Sequence, residues 1–215
     1  MRTLVLKLDL HVHTCYSSDA LTTLKEVRIY AKKRGLDGVA ITDHDTIDGA
    51  LRLTRSNGIL TIPGVEVSTS RGHVLGLNIS DLIPSGLDLQ KTIELIHDHG
   101  GVAVAAHPTV FGRRIKGQVV SHFDAVEVIN ASAFPFLTSS HLSQKLAIRF
   151  HLPQTAGSDA HYAPEIGYAY TIIDAEPQID EVIQAIKTGR TLIFGRPIPW
   201  RLRLKRKSLS LKRKL

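Results

Sequence analysis

Asp9-Leu10-His11-Val12-His13 closes the first apolar run of the chain, Leu4 to Leu10, and the rest of the fold is organised around it. In an extended strand alternate side chains share a face, so Asp9, His11 and His13 are expected to point the same way, with the two imidazoles roughly 7 Å apart along the backbone. That spacing suits one metal ion or two neighbouring ones, because a His-x-His pair at a strand end presents two neutral nitrogens on a stiff backbone. By itself the pair equally suits two half-buried histidines satisfied by hydrogen bonds. The remainder of the sequence separates the alternatives.

Working outward, a turn over Thr14 to Ala20 leads into a helix announced by the capping box Thr23-x-x-Glu26, with Leu24, Val27 and Ala31 at helical spacing and Arg34-Gly35 as its stop. The strand Gly38 to Ile41 ends in Thr42-Asp43-His44-Asp45, and a second helical stretch ends at Asn57-Gly58. Ile59 to Ile62 leads through Pro63-Gly64 to Val65-Glu66-Val67, and Gly72 to Leu77 is a strand with His73 at its start. After a helix carrying Leu89, Ile93 and Ile96, the strand Val102 to Ala105 delivers His107. Ala125 to Asn130 is another strand, followed by a helix around Leu142 to Phe150, and Gln154 to Ala156 delivers Asp159 and His161. Tyr168 to Ile173, a helix at Ile179 to Lys187 and the strand Thr191 to Phe194 complete the series. The ionisable groups thus collect at the ends of short apolar strands that alternate with helices. Alternating β and α units predict a parallel sheet, about seven such units can close it into a barrel, and strand ends then converge on one face. An open doubly wound sheet is the competing architecture, but it would spread these groups along an edge.

Composition narrows the chemistry. A chain of 215 residues with 43% hydrophobic content fits one sizeable core, and no apolar run approaches a membrane span, so a cytoplasmic protein is expected. Cys15 is the only cysteine, which excludes an intrachain disulfide and a thiolate zinc site. Beside a strand, that thiol is expected to be a small packed side chain. The net charge of +7 is concentrated in Arg201, Arg203, Lys205, Arg206, Lys207, Lys212, Arg213 and Lys214, without which the body is near −1. Arg201 to Lys205 alternates charged and apolar residues, as a short edge strand would; a disordered basic extension is the alternative. Arg113, Arg114 and Lys116 form a smaller basic cluster after His107.

Asp9-Leu10-His11-Val12-His13-Thr14, Ser18-Asp19, Thr42-Asp43-His44-Asp45, Pro63-Gly64-Val65-Glu66, His73-Val74-Leu75-Gly76, Ala106-His107-Pro108 and Gly157-Ser158-Asp159-Ala160-His161 together closely resemble the PHP family, named for polymerase and histidinol phosphatase. The resemblance spans roughly residues 7 to 195. It implies an α/β protein with a distorted seven-stranded barrel over residues 1–198, leaving 199–215 as a basic tail. It further implies two or three divalent ions (Mn, Zn or Fe) and phosphoester hydrolysis by a metal-bound hydroxide. Carried over by position, His11, His13 and Asp159 hold one ion, Glu66 bridges, and Asp19, His44, His73, His107 and His161 hold the second and third. Asp9, Asp43 and Asp45 are expected either to orient imidazole N–H groups or to hold turns. His161 and His73 are the candidates for proton donor. Glu127 and Asn130 end a strand on the same face, where they either touch substrate or, for Asn130, hold a turn. His97, His99, His122, His141 and His151 match nothing in the family and serve as a control.

Only about 50 residues separate His107 from Asp159, which leaves little room for a domain over the barrel and predicts an open pocket. With the basic tail this favours a nucleotide or oligonucleotide substrate, bound as a phosphorylated small molecule or a nucleic-acid end. A histidinol-phosphatase-type phosphomonoesterase is one alternative. A second is a non-catalytic RNA-binding subunit of a ribonucleoprotein, which would have no use for so many buried ionisable groups. An amidohydrolase-like enzyme acting on C–N bonds would use a strand-end lysine, and none stands at the matching places.

Overall fold

The computed structural model describes residues 5–55, 58–110, 115 and 118–213. Among them nine strands form one sheet: β1 (Val5–Val12), β2 (Gly38–Ile41), β3 (Leu60–Thr69), β4 (Gly72–Leu77), β5 (Val102–Ala105), β6 (Ala125–Asn130), β7 (Gln154–Gly157), β8 (Ala169–Asp174) and β9 (Thr191–Gly195), in the order β7-β6-β5-β4-β3-β2-β1-β8-β9. The helices are α1 (Leu24–Lys33), α2 (Asp48–Thr54), α3 (Leu89–Asp98), α4 (Phe136–Arg149), α5 (Ile179–Lys187) and α6 (Trp200–Arg213). The expected capping box starts α1: Thr23 Oγ1 accepts from Glu26 N–H and Glu26 Oε2 accepts from Thr23 N–H. α2 stops at Thr54, short of the expected Asn57-Gly58; Asn57 lies outside the described residues.

The sheet departs from seven parallel units in a way that matters for the site. β1, β2 and β3 run parallel, as do β5, β6 and β7, but β4 is antiparallel to both its neighbours and β8 is antiparallel to β1 and β9. Only Ser70 and Arg71 separate β3 from β4, too short a link for a parallel crossover. A histidine at the start of β4 therefore meets the same rim as residues toward the ends of its antiparallel neighbours β3 and β5. Backbone bonds from Asp159 N–H to His11 O (2.8 Å) and His13 N–H to Ala160 O (3.0 Å) nearly close the sheet into a barrel at that rim.

Two apolar layers separate by strand parity. Leu8, Leu10, Ala40, Ile62, Leu75, Leu77, Val102 and Val104 pack with Val182 and Ile186 of α5, while Val12, Val39, Ile41, Val65, Val74 and Ala105 pack with α1, α2, α3 and α4. The pairing Asp9↔Val39 followed by Val12↔Ile41 sets three steps of β1 against two of β2, a bulge that reverses the alternation. Asp9 consequently does not share a face with His11 and His13. β6 has a similar shift between Glu127 and Ile129, so that Asn130, beyond it, reaches the same interior as Glu127 before it.

The C-terminal basic stretch is helical. α6 lies against the barrel mouth: Arg203 donates to the carbonyls of Ile198, Ser132 and Ala131, Arg206 to Glu165, and Arg213 to the carbonyl of Ala20. The edge-strand reading of Arg201 to Lys205 is thereby overturned, because three arginine side chains find acceptors on the barrel that a strand there would forgo. Arg113, Arg114 and Lys116 lie outside the described residues.

Candidate metal centre

Glu66, in the middle of β3 and 1% exposed, is the hub of the site. Its Oε2 lies 3.1 Å from His11 Nε2, 3.2 Å from His13 Nε2 and 3.4 Å from His44 Nδ1, and its Oε1 lies 2.6 Å from His73 Nδ1 and 2.9 Å from His107 Nε2. Asp159 Oδ1 is 3.6 Å from His11 Nε2 and 3.3 Å from His13 Nε2. Toward the mouth, Asp19 Oδ2 is 3.1 Å from His161 Nε2 and 3.7 Å from His44 Nε2. All nine residues expected at the site from sequence come together. The five control histidines stay away from it; His97, for example, pairs with Asp124.

Local backbone makes this convergence possible. Asp159 and His107 adopt positive φ, 53° and 28°, turning the chain sharply just past β7 and β5. Gly157 supports His11 by having no side chain: a Cβ there would lie 2.3 Å from His11 Cβ and 2.8 Å from its nitrogen.

The hydrogen bonds around the rings define what the nitrogens can do. Glu127 Oε1 accepts from His11 Nδ1 at 2.9 Å, and Ser17 Oγ faces His13 Nδ1 at 3.3 Å. With Nδ1 holding the hydrogen in both rings, two Nε2 lone pairs 3.0 Å apart aim at one point together with oxygens of Glu66 and Asp159. Four acceptors converging in a buried space fit a cation and little else. His44, Glu66 and His73, and likewise His13, His44 and His161, form further sets close enough for one ion each.

Without metal, protons partly fill this role. Burial opposes charge on His11, yet Glu127, Glu66 and Asp159 hold its pKa well above the ordinary value; His13, also buried, is raised to about 9 by Asp159 and Glu66. Burial likewise works against ionised Glu66, but His11, His107 and His13 keep its pKa well below the usual carboxylate range. His44 moves the other way, to about 4, through burial and the neighbouring His13 and His161 against Glu66 and Asp19.

One pair of alternatives is resolved and two expectations change. Asp9 accepts backbone N–H groups of Ser158, Gly167 and His11, Asp43 holds Thr14 through its N–H and hydroxyl, and Asp45 accepts from Ser68 N–H. None of them orients an imidazole; they hold loops at strand ends. The orienting partner of His11 is Glu127, whose Oε2 also accepts from His107 N–H (2.7 Å) and Asn130 Nδ2 (3.0 Å). A carboxylate inside the apolar strand Ala125–Asn130 was its signal. Cys15 is exposed, not packed.

A cleft of about 420 Å³ opens onto the site, lined by Asp19, His44, Glu66, His107, Asp159 and His161 and, on its far wall, by Asn130, Phe134 and Arg206. Among the described residues no helix is long and apolar enough to cross a membrane.

The chain resembles known proteins in sequence and in fold. The model of the PHP-associated family matches residues 138–191. The uncharacterized protein MJ1587 of Methanocaldococcus jannaschii is 37% identical over 144 residues, 59% of this chain and 82% of that one. The phosphoribosyl 1,2-cyclic phosphate 1,2-diphosphodiesterase of Eggerthella lenta is 37% identical over 86 residues, 36% of this chain and 32% of the relative. A crystal structure from Bacteroides vulgatus, a two-domain protein containing a predicted PHP-like metal-dependent phosphoesterase, shares the fold with a TM-score of 0.72 at 18% identity, over 90% of this chain and 66% of that one. An α/β barrel-like sheet whose rim gathers histidines and carboxylates, joined to these likenesses, places the chain in the PHP family.

Proposed function

We propose that the chain is a metal-dependent hydrolase of phosphoester bonds, acting on nucleotides or oligonucleotides. One observation carries the reading: a single buried carboxylate, Glu66, meets five imidazole nitrogens at 2.6 to 3.4 Å, a donor set without purpose in a protein that holds no cation. His11, His13, Glu66 and Asp159 would hold one ion, His44, Glu66 and His73 a second with His107 beside them, and His13, His44 and His161 a third with Asp19 beside them. Mixed nitrogen and oxygen donors suit manganese, iron or zinc better than magnesium. When bound, such ions neutralise a phosphate and make an attacking water more acidic.

The chain's own groups supply the remainder. Glu127 fixes the hydrogen of His11 on Nδ1, and Asn130 Nδ2 steadies both Glu127 and Asp159. His161 lines the cleft, with Nδ1 directed at the carbonyl of Asp159 and Nε2 toward Asp19, and with two ions bound rather than three it is the better placed of the two candidates to protonate a leaving oxygen. His73 is held against Glu66 and is assigned to ion binding. Arg206 puts a cation on the cleft wall where an anionic ester would enter. The nucleotide assignment is supported by the open cleft, the basic helix at its edge and the resemblance to a diesterase of a ribose phosphate.

The test is product analysis, with Mn²⁺ present, on 5′-phosphorylated short RNA and DNA beside a small phosphate ester. Mononucleotides released from one end support the full reading, and turnover of the small ester alone reduces it to a phosphomonoesterase. His11→Ala and Asp159→Ala should abolish turnover while the fold survives; full activity in either would sink the site assignment. Binding of RNA with no turnover and no metal content would favour the non-catalytic subunit.

A further inference from the structure

Beside the metal cleft, and sharing Ala133 and Phe134 with it, lies a second and mainly apolar hollow of about 640 Å³, whose walls include Leu137, Arg196, Trp200 and Arg203. Phe134 and Trp200 are each 63% exposed, with ring centroids 5.6 Å apart and planes at 69°, so one ring stands as wall to the other's floor. Large aromatic rings are ordinarily spent on burial, and two of them left open side by side form a surface for another flat ring. The arrangement is held in place. Arg203 lies 5.6 Å from the centre of the Trp200 ring, and its guanidinium is fixed by the carbonyls of Ile198, Ser132 and Ala131. The platform is therefore preorganised by the same helix whose Arg206 reaches the cleft.

We infer that Phe134 and Trp200 form a nucleobase subsite, which receives the base of a nucleotide whose phosphate lies in the adjoining metal cleft. The inference deepens the phosphoesterase reading and rests on it for the phosphate. Continuity of the two hollows selects the occupant: it must carry an anionic group into a basin of metal-type ligands and a planar apolar group onto the rings. Arg196, whose guanidinium lies 4.9 Å from the centre of the Tyr168 ring, adds positive charge to the wall of the second hollow. Stacking tolerates any base, so the subsite gives a preference for nucleotides over plain sugar phosphates without selecting a sequence.

Trp200 is the only tryptophan, so its fluorescence reports on the subsite without any turnover. The metal-free full chain is titrated with adenosine 5′-monophosphate and, separately, with ribose 5-phosphate. Saturable quenching by the nucleotide and none by the sugar phosphate is expected, with the midpoint shifted roughly tenfold or more upward in Phe134→Ala. Absence of saturable quenching, or an equal response to both ligands, overturns the inference. So does a fluorescence change on diluting the protein alone with none on adding nucleotide, which would assign the rings to a second copy of the chain. A kinetic arm with Mn²⁺ separates this inference from the one beneath it. Hydrolysis of esters with and without a base at equal kcat/KM refutes the base subsite and leaves the phosphoesterase standing. Nucleotide quenching without hydrolysis of any ester supports the subsite and refutes the phosphoesterase.

Discussion

Glu127→Gln changes one oxygen to an NH₂ and should cripple metal binding from outside the ligand set. The carboxylate has two duties on two atoms: Oε1 accepts from His11 Nδ1, and Oε2 accepts from His107 N–H and Asn130 Nδ2. An amide has only one acceptor oxygen. If that oxygen keeps His107 and Asn130, the NH₂ faces His11 and drives the ring's hydrogen onto Nε2, removing the lone pair aimed at the ion. If it faces His11 instead, the NH₂ opposes two buried donors, each left unsatisfied at about 1–3 kcal/mol. The first arrangement costs less. Loss of an orienting partner lowers metal affinity roughly 10- to 100-fold, about 1.4–2.7 kcal/mol. The assay is competition of the purified variant against a chelator of known affinity, with thermal unfolding measured in excess chelator as the control. Affinity down by that factor and metal-free unfolding close to wild type is the expected pair. Wild-type affinity with unchanged stability would refute the tautomer argument.

Gly157→Ala should push its new methyl into His11, at 2.3 Å from Cβ, costing about 1–3 kcal/mol of stability by overpacking and lowering metal affinity together; unfolding with and without Mn²⁺ measures both. Because His11 and His13 have raised pKa values in the metal-free protein, the latter about 9, metal must displace protons to bind near neutral pH. Affinity should therefore rise with pH, about tenfold per unit for each proton released, and calorimetry in buffers of different ionisation enthalpy should register that release; identical heats in all buffers would contradict it. Arg206→Met strips the cation from Glu165, which is fully buried and whose pKa burial already raises, and should destabilise the protein by about 3 kcal/mol, with partial recovery in the double variant with Glu165→Gln. Removing residues 200–215 should impair small esters and polymers alike, since α6 braces the Ala131–Ser132 loop; selective loss on polymers alone would show that its role is purely electrostatic.

Much of this protein was legible in the residue pattern alone. The capping box of α1, the apolar runs of the strands and the placement of histidines and carboxylates at strand ends depend on neighbours in sequence, and local physics suffices to read them. Most of the nine expected site residues converge for that reason, since a sheet that gathers its strand ends gathers whatever they carry, while Glu66 within β3, His73 at the start of antiparallel β4 and Asp19 in a turn reach the same rim by other routes. Tertiary structure alone decided the roles that depend on register and distant packing. A one-residue bulge in β1 turns Asp9 away from His11 and His13, and another in β6 brings Asn130 round to Glu127, which meets a histidine 116 residues earlier. Neither bulge leaves a mark on the local pattern, because alternation reads the same until a partner strand fixes which residue is extra. The basic C-terminal stretch makes the same point from the other direction. Its charges suggested a tail, but a helix forms where arginines find carbonyls and a buried carboxylate on the barrel, acceptors that exist only once residues 131, 132, 165 and 198 have been brought together by the fold.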